Sequence, residues 1–308
     1  MPALITHHLF GEKCVSELPD SIIEDQEQLL AFLLGNQGPD PFFFRFRGLP
    51  QDLSACHELA KRMHCERVAL AFNSLRDSVG RLPLPDQKVG RAFALGMLGH
   101  YTLDRTTHPF IFAEQIEIIA QSNGELDGLD SQVHAIIEGR LDSWLLWRER
   151  HSTVLDCPPA YELCRTPRID RVAGALFSQI AWQIYGISLP VEAYGACVND
   201  MQTVYKLIEP AGSPKGEVLA VIEESLRGTT SQIQAMAHEV LQTDDCPLAN
   251  PGHLPWKSPA TGKESTASFL DLFNLAVTDY GVLAQAFVKG GDDMEAAIDR
   301  LNYSGETY

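Results

Sequence analysis

Apolar residues recur at three-to-four spacing through most of this chain, the mark of helices that each bury one face. The stretch "DLSACHELAKRMHCERVALAFNSLRDSV" (52–79) opens on an aspartate cap and predicts one amphipathic helix. "DQKVGRAFALGMLGHYTLD" (86–104) predicts a more apolar helix, in which Gly90, Ala92, Ala94, Gly96 and Gly99 permit close packing. "LDSQVHAIIEGRLDSWLLWRER" (129–150) predicts a strongly amphipathic one. Further helices are expected near 20–34, 170–186, 190–208, 215–241, 264–288 and 292–301. Alternating strand patterns closed by hairpin turns are lacking. The predicted fold class is all-α, a multi-helix bundle.

Turn residues mark loops at "GNQGPDP" (35–41), "GRLPLPD" (80–86), "SNGELDG" (122–128) and "CPLANPGHLPWKSPATGKES" (246–265). The last is long enough to be a domain linker, but it fits a surface loop of one bundle equally well. The reading adopted is a single domain over 1–308, with the chemistry-bearing motifs concentrated in 1–145 and a helical C-terminal part at 150–308.

Composition changes this picture little. The 308 residues are 45% hydrophobic and 21% charged, ordinary for a soluble globular chain. The formal net charge of −17, from 24 Lys and Arg against 41 Asp and Glu, disfavours a nucleic-acid surface or a basic membrane-docking face. No apolar run approaches membrane-spanning length, and the first residues, "MPALITHHLFGEKC", lack the pattern of a secretory signal. Seven scattered cysteines without a CxxC fit free thiols in a reducing compartment. A cytoplasmic protein is expected, unless a leader has been removed.

The histidines change it more. Seven of the ten lie within the first 134 residues. In "HYTLDRTTHP" (100–109), His100, Asp104 and His108 are spaced four apart, so on a helix they drift only about 40° per step and project from nearly one side. An imidazole and a carboxylate so placed can share a transition-metal ion, although such pairs also occur as plain helix-face contacts. Pro109 disfavours helical geometry at His108, so the helix is predicted to end there and turn that side chain into a cleft. A second helix repeats the arrangement with His134, Glu138 and Asp142. His/carboxylate pairs on neighbouring helices are a common way to build multinuclear metal centres. His64 lies on the 52–79 helix, Asp40 in a Gly/Pro-rich loop, and His7 and His8 near the start.

The ordered set "THHLFG", "LLGNQGPDPFF", "MH", "LGHYTLDRTTHP" and "HAIIEGRLD" resembles the bacterial zinc-dependent phospholipase C family. More distantly it resembles the fungal single-strand-specific nucleases that share a trinuclear zinc site. The match covers about residues 1–145. The resemblance implies two to three zinc ions as cofactors: one held by His64, His100 and Asp104, a second by His108, His134 and Glu138, and a third by His7 and Asp104, with Asp104 bridging. Asp40 would sit beside the attacking water as general base or orienting group. The family completes its third site with an N-terminal tryptophan, which "MPALI" lacks. His8, or the terminus at Met1 or Pro2, is the candidate replacement.

Other residues have blander readings. His57 shares a helical face with His64, and either can be the ligand; "RMHCE" resembles the family segment and favours His64, leaving His57 in solvent. His151, His238 and His253 lack spaced partners and read as surface or loop histidines. Asp142 reads equally as an acid orienting a ligand histidine or as a helix-surface acid. The "FFFRFR" aromatics (42–47) read as core, with a lipid-touching loop as the alternative. Trp144, Trp147, Trp182 and Trp256 read as packing residues.

The implied function is a zinc-dependent phosphodiester hydrolase that cleaves a phospholipid to diacylglycerol and a phosphorylated head group. Expected partners are a phospholipid or small phosphodiester substrate and transient contact with a membrane surface, without nucleic acid. Residues 150–308 would wall the cleft and set substrate choice. The alternatives are a nuclease or nucleotidase on the same zinc core, and a non-catalytic metal- or lipid-binding relative.

Overall fold

The computed structural model describes residues 4–19, 21–227 and 231–308. Helices follow one another as α1 (Leu4–Cys14), α2 (Gln26–Gly35), α3 (Pro50–Cys65), α4 (Val68–Arg81), α5 (Gln87–Gln121) and α6 (Asp130–Arg150). Then come α7 (Pro167–Ile180), α8 (Ala193–Ile208), α9 (Pro214–Arg227), the single turn α10 (Gln232–Ala235), α11 (Phe269–Lys289) and α12 (Asp292–Ile298). Among the described residues, strand pairing is confined to a hairpin of Trp256–Lys257 with Glu264–Ser265 and a bridge between Leu301 and Thr307. The fold is all-α, as the periodicity predicts. No described helix is long and apolar enough to cross a membrane.

Local chemistry explains several helix starts. Asp25 caps α2 by accepting from the Gln28 N–H. Thr166 does the same for Ile169 at the start of α7, with Pro167 pre-set in the first turn. Ile169, Val172, Ala173, Leu176, Phe177 and Ile180 then form the buried stripe of α7.

The structure corrects the predicted elements in four places. The 52–79 segment is two helices, broken where Arg67 takes a left-handed φ of 57°. The break is held by tertiary contacts: Arg67 Nη1 donates to the Ile184 carbonyl and Tyr185 Oη to that of Glu66. The apolar spacing continues across this joint, so pattern alone cannot find it. Pro109 does not end its helix; α5 runs on to Gln121. A proline inside a helix costs roughly 3 kcal/mol, which burial of the following Phe110 and Ile111 offsets. Of the expected 215–241 helix, α9 covers Pro214–Arg227 and α10 Gln232–Ala235, residues 228–230 lie outside the described residues, and 236–246 is irregular. Finally, α1 lies where the pattern predicts no helix; every residue from Leu4 to Phe10 is buried, so no amphipathic period is visible.

The chain divides into two compact units. One comprises His7–Thr106, Leu163–Met201 and Phe273–Tyr308. Its core contains the aromatic cluster of Phe42, Phe93, Phe177 and Tyr194, with Phe177 4.9 Å from Phe42 and 4.5 Å from Tyr194. In this unit α2 crosses α5 at backbone contact: a Cβ on Gly96 would lie 2.1 Å from the Phe32 carbonyl oxygen, and one on Gly35 2.3 Å from that of Phe93. The other unit comprises the residues up to Thr6, Thr107–Glu162 and Gln202–Leu272. There Phe110 meets Trp256 edge-on at 5.4 Å, and buried Trp144 donates from its indole to the Asp244 carbonyl.

The aromatic segment splits: Phe42 and Phe44 are core, Phe43 is half-buried, and Phe46 is exposed beneath the Arg47 guanidinium. Trp182 is 66% exposed, so it is not a packing residue as predicted. All seven cysteines are free thiols.

Candidate metal centre

The first group of site residues lies in the unit built around α2, α3 and the first part of α5. The α2–α5 crossing brings the turn after α2 against His100. His100 Nδ1 lies 3.1 Å from the Asn36 carbonyl oxygen. Gly38, at φ 52°, leaves room for the ring, since a Cβ there would sit 2.4 Å from His100 Cδ2. The same turn continues into a short 3-10 segment, Asp40–Phe44, that presents Asp40. On α3, His64 Nδ1 lies 2.7 Å from the Ala60 carbonyl one turn back.

A carbonyl can only accept, so both Nδ1 atoms carry the proton and a neutral ring presents its lone pair at Nε2. Those lone pairs face carboxylates. His64 Nε2 is 3.0 Å from Asp40 Oδ1 and 4.0 Å from Asp104 Oδ2. His100 Nε2 is 3.3 Å from Asp104 Oδ2 and 3.9 Å from Asp40 Oδ1, is fully buried, and makes no hydrogen bond. His7 Nε2 is 3.1 Å from Asp104 Oδ1, and its ring stacks on His100 at 4.1 Å. Burial works to raise the Asp40 carboxyl, but His100 and His64 beside it hold it below its ordinary value.

The second group lies in the other unit. His134 Nδ1 is 3.0 Å from Gln115 Oε1, a partner that fixes the ring so that Nε2 points 3.2 Å from Glu138 Oε1. His108 Nε2 reaches the same oxygen at 3.5 Å. Burial holds His134 below its ordinary pKa against the pull of Glu138, which favours the neutral ring. Burial works to raise the Glu138 carboxyl, but His134 and His108 keep it well below the usual carboxylate range.

Lone pairs and carboxylate oxygens at such distances repel unless a cation lies between them. A proton can serve one pair. Several imidazoles converging on one buried carboxylate cannot all be protonated without mutual repulsion, whereas a divalent ion accepts all the donors at once. The residues therefore fit a transition metal. Three donor sets of His and carboxylate atoms, each within 4.8 Å, occur among the described residues: His7–His100–Asp104, Asp40–His64–His100 and His108–His134–Glu138.

The structure thus brings all eight predicted site residues into these sets. It groups His64 with Asp40 rather than only with Asp104, so Asp40 stands at ligand distance. His8 instead faces Glu12, and Met1 and Pro2 lie outside the described residues. His57 is exposed at the Arg45 carbonyl.

Two predictions are corrected. His238 is no surface residue but is fully buried between Glu209 and Asp142. Asp142 does not face solvent, and its hydrogen bonds run to His238 and to the N–H groups of Ile5 and Thr6 rather than directly to a histidine of the donor sets. Sequence reading also missed Gln115, which lies beyond the point where α5 was predicted to stop. It missed Tyr303 too, whose buried ring lies 4.7 Å from His64 and 5.7 Å from His100. Nothing in the sequence spacing marks a residue so close to the C-terminus as part of this site.

The class defined by these features is a helical protein with converging buried imidazoles and carboxylates arranged for divalent cations. The chain belongs to the zinc-dependent phospholipase C family, whose model matches residues 6–173 and so contains every residue of the three donor sets. No curated protein and no solved structure matches the chain significantly.

Proposed function

We propose that this protein is a zinc-dependent phosphodiester hydrolase of the phospholipase C type, cleaving a phospholipid to diacylglycerol and a phosphorylated head group. The observation that carries the reading is the convergence of Nε2 lone pairs on buried carboxylates within the region matched by the family. His108, His134 and Glu138 would hold one zinc. His64 and His100, with Asp104 and Asp40 beside them, would hold another. His7 and Asp104 form the basis of a third, with Asp104 shared. Bound zinc supplies Lewis acidity toward phosphoryl oxygens and makes water acidic enough to react near neutral pH. Asp40, held ionised by His100 and His64, accepts or orients the proton of the attacking water.

A lipid substrate is favoured over a polynucleotide by the net charge of −17. It is also favoured by the Asp40 segment, where half-buried Phe43 lies 5.4 Å from His64 and exposed Phe46 follows. These aromatics would meet a membrane surface transiently. The free thiols support a reducing compartment, the cytoplasm. The test is a parallel assay, with zinc present, of short-chain phosphatidylcholine, a soluble choline phosphodiester and single-stranded DNA. Hydrolysis of the choline esters is expected. Cleavage of DNA with neither ester touched would overturn the lipid assignment and leave a nuclease on the same residues.

A further inference from the structure

A second cluster of buried titratable groups lies outside the three donor sets, within the unit that contains α6. His238 Nε2 is 3.0 Å from Asp142 Oδ2, and its Nδ1 is 2.6 Å from Glu209 Oε1. Both partners are carboxylates, so both ring nitrogens donate and the ring is an imidazolium. The Glu209 carboxylate also accepts the backbone N–H of His238, at 3.2 and 3.3 Å. The Tyr205 ring stacks on the imidazole at 5.7 Å and 25°.

Asp142 uses both oxygens on the backbone as well. Oδ2 accepts from Ile5 N at 2.9 Å and Oδ1 from Thr6 N at 2.8 Å. These N–H groups belong to the first described turn of α1. A carboxylate there also complements the helix dipole. The next residue of α1 is His7. Neutral Asp142 would carry a proton on one oxygen and could not serve both N–H groups, and an ionised Asp142 without His238 would be an uncompensated buried charge.

We propose that Glu209, His238 and Asp142 act as a positioning relay that fixes the first turn of α1 and thereby the His7 imidazole, so that cation binding through His7 depends on a histidine that touches no ligand. The proposal rests on the reading that His7, His100 and Asp104 hold zinc.

The experiment compares full-length wild type with His238→Gln, Asp142→Asn and the milder Glu209→Gln, taking exposed His151→Gln as control. Two readouts are taken: zinc per chain by elemental analysis, with competition by a chromophoric chelator, and amide hydrogen exchange along α1 and α6. His238→Gln and Asp142→Asn are expected to bind one zinc ion fewer, or one far more weakly. Exchange at the start of α1 should accelerate by roughly tenfold or more, while α6 and the zinc at His108, His134 and Glu138 are retained. Glu209→Gln should show the same pattern more weakly and covers the case in which the other variants fail to fold. Wild-type zinc content and unchanged α1 exchange in the variants would overturn the relay. If wild type itself bound no zinc, the metal reading would fall, and the exchange rates of α1 would still decide for or against the anchor.

Discussion

Asp40 and Asp104 show how much a single carboxylate's surroundings decide. Asp104 faces His7, His100 and His64, so it is the residue best placed to be shared between two cations. Asp104→Asn is expected to release zinc and abolish hydrolysis, since a neutral amide is a poor bridge. Asp40→Asn is expected to leave zinc content nearly intact while lowering kcat by roughly 10²-fold or more. Equal zinc loss in the two variants, measured by elemental analysis, would make Asp40 a ligand. His238 offers a pH test. Burial lowers its pKa, but its hydrogen bonds to Asp142 and Glu209 more than offset this and push it up to about 10. A histidine raised above its unfolded value of about 6.5 contributes stability that is complete below that pH and is lost as pH rises through about 10. The melting temperature of the zinc-free wild type should therefore fall between pH 7 and 10 more steeply than that of His238→Gln; parallel curves would contradict a charged ring. At this scale the histidines of the three donor sets were legible because helical spacing and the family resemblance mark them. His238 was not, because its partners lie 29 and 96 residues away and no local pattern records them.

Helices were legible wherever one face meets the core and the other meets solvent, as in α4 and α7; α6, expected to be strongly amphipathic, is instead buried on nearly all sides from Leu141 to Leu146. They were illegible where that contrast fails, as in α1, or where the break is imposed from outside, as at Arg67. Pro109 was misread because local backbone preference was weighed without the burial on its far side. The crossing of α2 and α5 was foreshadowed by the small residues of α5, and it carries a prediction of its own. Gly96→Ala must push a methyl group toward the Phe32 carbonyl and is expected to destabilise the fold by about 1–3 kcal/mol, read in urea unfolding. Gly38→Ala adds both a strained φ and a clash with the His100 ring. It should weaken zinc binding beyond what its stability loss explains. A Gly38→Ala protein with wild-type zinc affinity would mean that the turn does not hold the His100 ring.

For the whole molecule, the donor sets draw residues from α1, the turn after α2, α3, α5 and α6, so the metal would tie together segments scattered from residue 7 to residue 138. The sequence located these segments but not what lies over them; Tyr303 reaches His64 and His100 from a stretch with no recognisable motif. Without metal, each Nε2–carboxylate contact needs a proton in place of the ion, and only some of the imidazoles can take one. Stripping zinc with a chelator should therefore lower the melting temperature. Each site occupied at about a hundred times its Kd contributes on the order of 2.7 kcal/mol. The loss should grow with pH, as the protons that substitute for the cation are withdrawn, and zinc binding near neutral pH should release protons. Calorimetric titration of the stripped protein in buffers of different ionisation enthalpy measures that release. Unchanged melting after confirmed stripping, with no protons released on adding zinc back, would mean that hydrogen bonds alone hold these imidazoles and carboxylates together.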